Sequence, residues 1–209
     1  MPKYEWKKHD KALYVPGQKP VLIEVPEMQY FTIQGKGNPN GEAFQEHIEV
    51  LYALSYAIRM MPKQGVIPEG YYEYTVFPLE GYWDLDEEGR KLDYLDKNHL
   101  MYTLMIRQPN FVTEDLFEWA IEKVRRKKSH LDVESVRLDK IIEGLCVQVM
   151  HLGSYDNEPQ TFAMMEQYCA DHQLWRAEKT HKEIYLNDPR KTVPEKLKTV
   201  LRFKVESER

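Results

Sequence analysis

Glu183 and Tyr185, two residues apart in HKEIYLNDPR (residues 181–190), are the side chains whose types and spacing best suit chemistry. β-Branched and aromatic neighbours make this stretch a strand, and Asn187-Asp188-Pro189 ends it in a turn. Side chains alternate along a strand. His181, Glu183 and Tyr185 therefore share one face and Lys182, Ile184 and Leu186 the other, which Ile184 and Leu186 mark as the core side. An acid held on a rigid strand beside a phenol suits a ligand site. The plainer alternative is a solvated edge strand, since exposed glutamates are common.

Aromatic residues make up 12% of the chain, and flat rings with a polar edge line small-molecule sites as well as cores. Tyr71, Tyr72, Tyr74, Phe77, Tyr82 and Trp83 crowd one predicted hairpin, and Trp175 follows a predicted helix over 159–172. Alternation places Tyr72 and Tyr74 on one face and Tyr71, Glu73 and Phe77 on the other. A carboxyl buried among such rings attracts cationic ligands through its charge and the ring faces, or serves as a general acid or base.

Other chemistries find no pattern. The GKG at 35–37 lacks the full GxGxxG spacing, and Pro39 interrupts the helix start, so a structural turn is expected. The seven histidines show no HxxxH or HExxH spacing, and no metal is expected. His151, before Gly-Ser-Tyr, reads as a hydrogen-bonded structural histidine. GxSxG is absent, and Cys146 and Cys169 lack a placed histidine, which argues against covalent catalysis. No cofactor is expected.

At 209 residues and 42% hydrophobic content the chain can bury a real core. It contains no apolar run long enough for a transmembrane span. The charged start MPKYEWKKHDKALY does not suit a signal peptide. A net charge of −5 argues against nucleic-acid or anionic-membrane partners. Cys146 and Cys169 form no CxxC pair and read as reduced core residues, so a soluble, cytoplasmic protein is expected.

The elements that must position these residues follow a repeat. After an irregular or partly helical lead-in over 1–19, strands are expected at 21–25 and 29–35, then a turn-rich loop at 35–41. A helix over 41–61 follows, with Asn40 as its N-cap and Phe44, Ile48, Leu51, Ser55 and Ile58 as its buried stripe. Extended segments at 70–79 and 80–85, a solvated loop at 86–98 and a strand at 100–107 complete the first half. A helix over 113–127 with Thr113 as N-cap leads to a strand at 145–152, a loop at 153–158, the helix over 159–172, the Glu183 strand and a strand at 196–205. FTIQGKG before GEAF is echoed by VQVMHLG before PQTF, and YTLMIR by KTVLRF. The order β-α-β-β thus occurs twice. The reading is one α+β domain of two pseudo-symmetric β-α-β-β modules, about 20–110 and 111–209, with a ligand groove between their sheets.

Four stretches carry a resemblance: residues 25–61, EGYWDL (80–85), HLGSYDNEP (151–159) and HKEIYLNDPRKTVPEKLKTVLRFKV (181–205). Together they resemble the GyrI-like small-molecule-binding family, in particular its free-standing subfamily that includes cyclopropanoid cyclopropyl hydrolases. The resemblance implies a duplicated SHS2-type fold with antiparallel sheets and a central ligand groove. Relatives fused to helix-turn-helix domains sense cationic aromatic drugs through a groove glutamate, and Glu183 matches that position. The free-standing subfamily implies detoxification of yatakemycin- and CC-1065-type DNA alkylators by an aromatic cage. Glu183 and Trp83 lie inside matching stretches, while Tyr185, Tyr74, Tyr72 and Trp175 are expected at the site from strand facing and location. The catalytic expectation is thus Glu183 and Tyr185, with Trp83, Tyr74, Tyr72 and Trp175 binding ligand. Non-catalytic sequestration of cationic or aromatic compounds is the alternative, and a protein partner, as some relatives find in DNA gyrase, is a third.

Overall fold

The structure, a computed structural model, describes residues 3–207. Its elements in order are α1 (Trp6–His9), α2 (Lys11–Tyr14), β1 (Val21–Val25), β2 (Met28–Lys36), α3 (Glu42–Arg59), β3 (Leu79–Leu85), β4 (Leu100–Arg107), α4 (Glu114–Lys127), β5 (Arg137–Ile141), β6 (Gly144–Leu152), α5 (Glu158–Asp171), β7 (Leu174–Arg176), β8 (His181–Tyr185) and β9 (Lys198–Ser207). The architecture is α+β, and all the registered strand pairs are antiparallel. The expected order β-α-β-β is present twice, as β2-α3-β3-β4 and as β6-α5-β8-β9 with the short β7 inserted.

The chain divides into two compact units. One takes in the N-terminal residues as far as Trp6, Met28–Leu79 and Leu85–Ile141; the other takes in Lys7–Glu27, Glu80–Asp84 and the chain from Ile142 onward. In the first, β2 pairs with both β4 and β5. α3 buries Phe44, Val50, Leu51, Leu54, Ser55 and Ile58. Its N-cap is Gly41, one residue after the expected Asn40, and makes no side-chain bond. Thr113 caps α4 as expected, its hydroxyl accepting from the Leu116 N–H at 3.4 Å.

Residues 70–78 depart from the expected strand. Only a bridge between Tyr4 and Tyr74 forms there. Gly70 sits at φ 73° and starts the segment in the left-handed region, and Pro78 can donate nothing to a ladder. The rings instead pack as a cluster: Tyr74 lies 6.1 Å from Phe111, and Tyr72 lies 5.4 Å from Phe111 and 5.5 Å from Tyr4.

In the second unit β9 is flanked by β6 and β8, β1 adds beyond β6, and β7 pairs with the end of β9. α5 lies over one face, where Val147, Val149, Met165, Cys169, Leu201, Phe203 and Val205 form a core. Each such side chain contributes about 1.5–3 kcal/mol by leaving water. Both cysteines are free and buried, as expected of core residues. Among the described residues no helix is long and apolar enough to cross a membrane.

Candidate functional site around Glu183

β8 holds the expected alternation. Lys182 and Ile184 are fully buried on one face, and His181, Glu183 and Tyr185 are partly buried on the other. The register with β9 places Glu183 opposite Leu201 and Tyr185 opposite Thr199, so the acid faces the side that α5 covers. β3 alternates in step: Glu80 turns to Lys182, while Trp83 turns to Tyr185.

Three side chains form a relay. The Trp83 indole N–H donates to the Tyr185 hydroxyl at 2.8 Å, and that hydroxyl donates to Glu183 Oε2 at 2.8 Å. His181 Nε2 lies 3.1 Å from Glu183 Oε1. Both carboxylate oxygens are therefore held, although the Glu183 side chain retains only 12% exposure. Burial and then the Glu183 charge push the Tyr185 phenol well above its ordinary value, so it remains a donor at neutral pH. Tyr155 sets its ring edge-on to Tyr185, 6.1 Å away at 88°. Burial, followed by the charge of Glu183, pushes the Tyr155 phenol up to about 12.

The residue that sequence reading missed is Glu158. It opens α5 and is only 7% exposed, and its Oε1 has no hydrogen-bond partner. Burial first, then the charges of Glu183 and Asp156, push its carboxyl up to about 9, against the pull of the helix N-terminus. Its surroundings thus favour the neutral form of its carboxyl. The turn before it is fixed from β6. His151 bonds Thr161 Oγ1 at 2.8 Å and the Ser154 carbonyl at 3.0 Å, the structural role expected of it. Gly153, at φ 119°, supplies the left-handed turn between them. In the sequence, the only signal was an acid directly before Pro159 at a helix start, which the helix dipole already accounts for.

The core side of β8 carries an equally unexpected group. Lys182 Nζ donates to Glu80 Oε2 at 2.9 Å and to Glu143 Oε1 at 2.7 Å. Arg202 reaches Glu143 Oε1 at 3.0 Å, Gln148 Oε1 at 2.9 Å and the Leu13 carbonyl at 2.7 Å. Tyr14 donates to Glu80 Oε1 at 3.1 Å. Burial pushes the Glu143 carboxyl up, but Lys182 and Arg202 outweigh it and hold the group well below its ordinary range. Burial lowers Lys182, yet Glu143 and Glu80 outweigh it and keep it charged. Two cations and two anions balance in the interior, which anchors β8 from behind while its other face carries Glu183.

Of the residues expected at the site, the structure brings together Glu183, Tyr185 and Trp83. Tyr74 is buried in the aromatic cluster of the other unit, where Tyr72 packs 6.3 Å from it. Trp175 lies on β7, 44% exposed, and its indole N–H donates to Glu206. Among the described residues no group of three or more His, Cys, Asp or Glu is placed to hold a metal ion.

The fold is that of an antiparallel α+β domain with a partly buried acid on β8. The GyrI-like small molecule binding domain matches residues 18–206, and the chain belongs to that family. Two crystal structures of a hydrolase from Listeria innocua are similar to it, at 40% identity with TM-score 0.89 and at 41% identity with TM-score 0.91. In both cases the match covers 98% of this chain and 100% of the other. The EcmrR C-terminal domain shares the fold at 14% identity and TM-score 0.53, over 91% of this chain and 98% of its own. Comparison with curated proteins finds no match.

Proposed function

We propose that the Glu183 face of β8 binds planar aromatic xenobiotics and hydrolyses cyclopropanoid DNA-alkylating compounds of the yatakemycin and CC-1065 type, a detoxifying role. The observation that carries this reading is the Trp83–Tyr185–Glu183 relay. It holds a carboxylate in one orientation without consuming its charge, which is the requirement for a general base acting on water. The similar Listeria innocua hydrolases support an enzyme over a simple binder.

In this reading the flat ligand rests against Trp83 and Tyr155, and a water lies at Glu183. Glu183 takes a proton from that water as its oxygen attacks the strained methylene. The cyclopropane C–C bond breaks, and its electron pair moves through the conjugated ring to the carbonyl oxygen. Tyr185 positions the base. Its single hydroxyl hydrogen is already given to Glu183, and it accepts from Trp83, a donor only. It is therefore not the group that protonates the ligand.

The test compares Glu183→Gln and Trp83→Ala with the parent on a spirocyclopropyl dienone of this class, following water-adduct formation by mass spectrometry. Loss of about 10²–10⁴-fold in rate for Glu183→Gln is expected. Equal rates in all three proteins contradict the assignment. Quenching of tryptophan fluorescence with intact compound recovered from the parent indicates binding without chemistry.

A further inference from the structure

Hydrolytic opening of a spirocyclopropyl dienone to a phenol needs two proton transfers, one from water and one to the carbonyl oxygen, and the relay supplies only the first. The second requires an un-ionised group with a free polar atom. Glu158 is the group that fits: a carboxyl more than nine-tenths buried at the first residue of α5, with Oε1 unpartnered. It is close enough to Glu183 for that charge to act on it, and close enough to Tyr155 and Tyr185 to act on them. A buried polar atom left without a protein partner costs free energy, which a hydrogen bond to a bound ligand would relieve.

We propose that Glu158 is the general acid of this site, giving its proton to the oxygen that receives the electron pair of the opening ring while Glu183 takes one from the attacking water. The inference rests on the function proposed above and adds a catalytic residue to it. The balance closes: water gains a bond to the methylene carbon, the ring C–C bond breaks, and the carbonyl oxygen becomes a phenol with the Glu158 proton. Glu183 is left protonated and Glu158 ionised, and one proton passed from the first to the second restores the pair. Two carboxyls whose surroundings separate their protonation states are the general arrangement for paired acid and base work.

Burial, then Glu183 and Asp156, set the pH behaviour of Glu158, with the following groups around them. Glu183 and Tyr185 come from β8, with His181 bonded to Glu183. Asp156 and Tyr155 come from the turn before α5. His151 on β6 holds the turn before α5 through Thr161 and Ser154, and Asp188 adds its charge at Tyr155. The negative members hold the proton on Glu158, and its burial adds to them.

The experiment is the pH dependence of kcat/KM for hydrolysis of the same dienone by the parent and by Glu158→Gln, with tryptophan quenching as the measure of binding. The expected result is an alkaline limb near pH 9 in the parent. In Glu158→Gln the limb is lost and the rate falls about 10²–10⁴-fold, with binding retained. A parent rate and an unchanged alkaline limb in Glu158→Gln, with Glu183→Gln still inactive, overturn the acid role and leave the proposed function standing. No turnover by the parent overturns both. Should Glu158→Gln fail to fold, Glu158→Asp is expected to slow turnover while keeping the limb; parent-like kcat/KM in that variant overturns the role. Infrared difference spectra of the ligand-free protein at pH 7 are expected to show a protonated-carboxyl band that Glu158→Gln or Glu158→Asp removes or shifts, and an unaltered spectrum overturns the role.

Discussion

At the scale of single residues, Glu158 and Glu183 show how surroundings decide the chemistry of one side-chain type. Glu183 receives a phenol hydrogen and a histidine contact on its two oxygens; Glu158 has burial and a neighbouring negative charge. A carboxyl raised in the folded state stabilises the protein fully below its unfolded value, and that contribution is lost as pH rises toward its folded value of about 9. Glu158→Gln is therefore expected to be more stable than the parent at pH 8, by on the order of 5 kcal/mol, with the difference vanishing near pH 4. Thermal melts of both proteins from pH 4 to pH 8 check it, and a pH-independent difference contradicts it. Tyr185→Phe removes the acceptor for the Trp83 N–H and a donor to Glu183, and is expected to cost about 1–3 kcal/mol in urea unfolding.

At the scale of elements, β8 works because its two faces do different jobs. Alternation in HKEIY made the facing of Glu183 and Tyr185 legible from the sequence, and it also put Lys182 on the core side. The sequence did not reveal how a lysine could be buried there, because Glu80 and Glu143 are distant in the chain, 102 and 39 residues away. Removing one partner of such a group leaves buried charge uncompensated. Lys182→Ala is expected to destabilise by about 3–5 kcal/mol, whereas Lys191→Ala on the surface changes urea stability by less than about 0.5 kcal/mol. A Lys182→Ala midpoint equal to the parent's contradicts the anchoring role. The strands β5 and β7 escaped sequence reading for local reasons. RLDKI carries three charges in five residues, and LWR is only three residues long. Both gain their extended form from the partners they meet, β2 and β9.

At the scale of the whole molecule, the duplicated β-α-β-β order was legible because a glycine-bearing turn and a helix stripe punctuate each half in the same places. The pairing of the leading strands was not. β1, which precedes the first repeat, pairs with β6 of the second, and β5, which precedes the second, pairs with β2 of the first. Local patterning has no information about such an exchange. Tyr72 and Tyr74 were expected to alternate as in a strand, but Gly70 and Pro78 prevent one, and the rings pack with Phe111 instead. Acid stability belongs to this scale as well. Glu143 is held below its ordinary range, so its contribution is present above the ordinary carboxylate range and lost as pH falls through its folded value. Circular dichroism during acid titration is expected to show unfolding at higher pH in Lys182→Ala than in the parent, and coincident curves contradict that.

In the proposed reaction water, activated at Glu183, opens the ring and leaves the protein unaltered. Hydrolysis of a spirocyclopropyl dienone in ¹⁸O-labelled water, with mass spectra taken of both product and protein, tests it most directly. Attack by water predicts one labelled oxygen per product molecule, many products per protein chain, and a protein of unchanged mass. Compound recovered intact, or a protein that carries the mass of the compound, contradicts it.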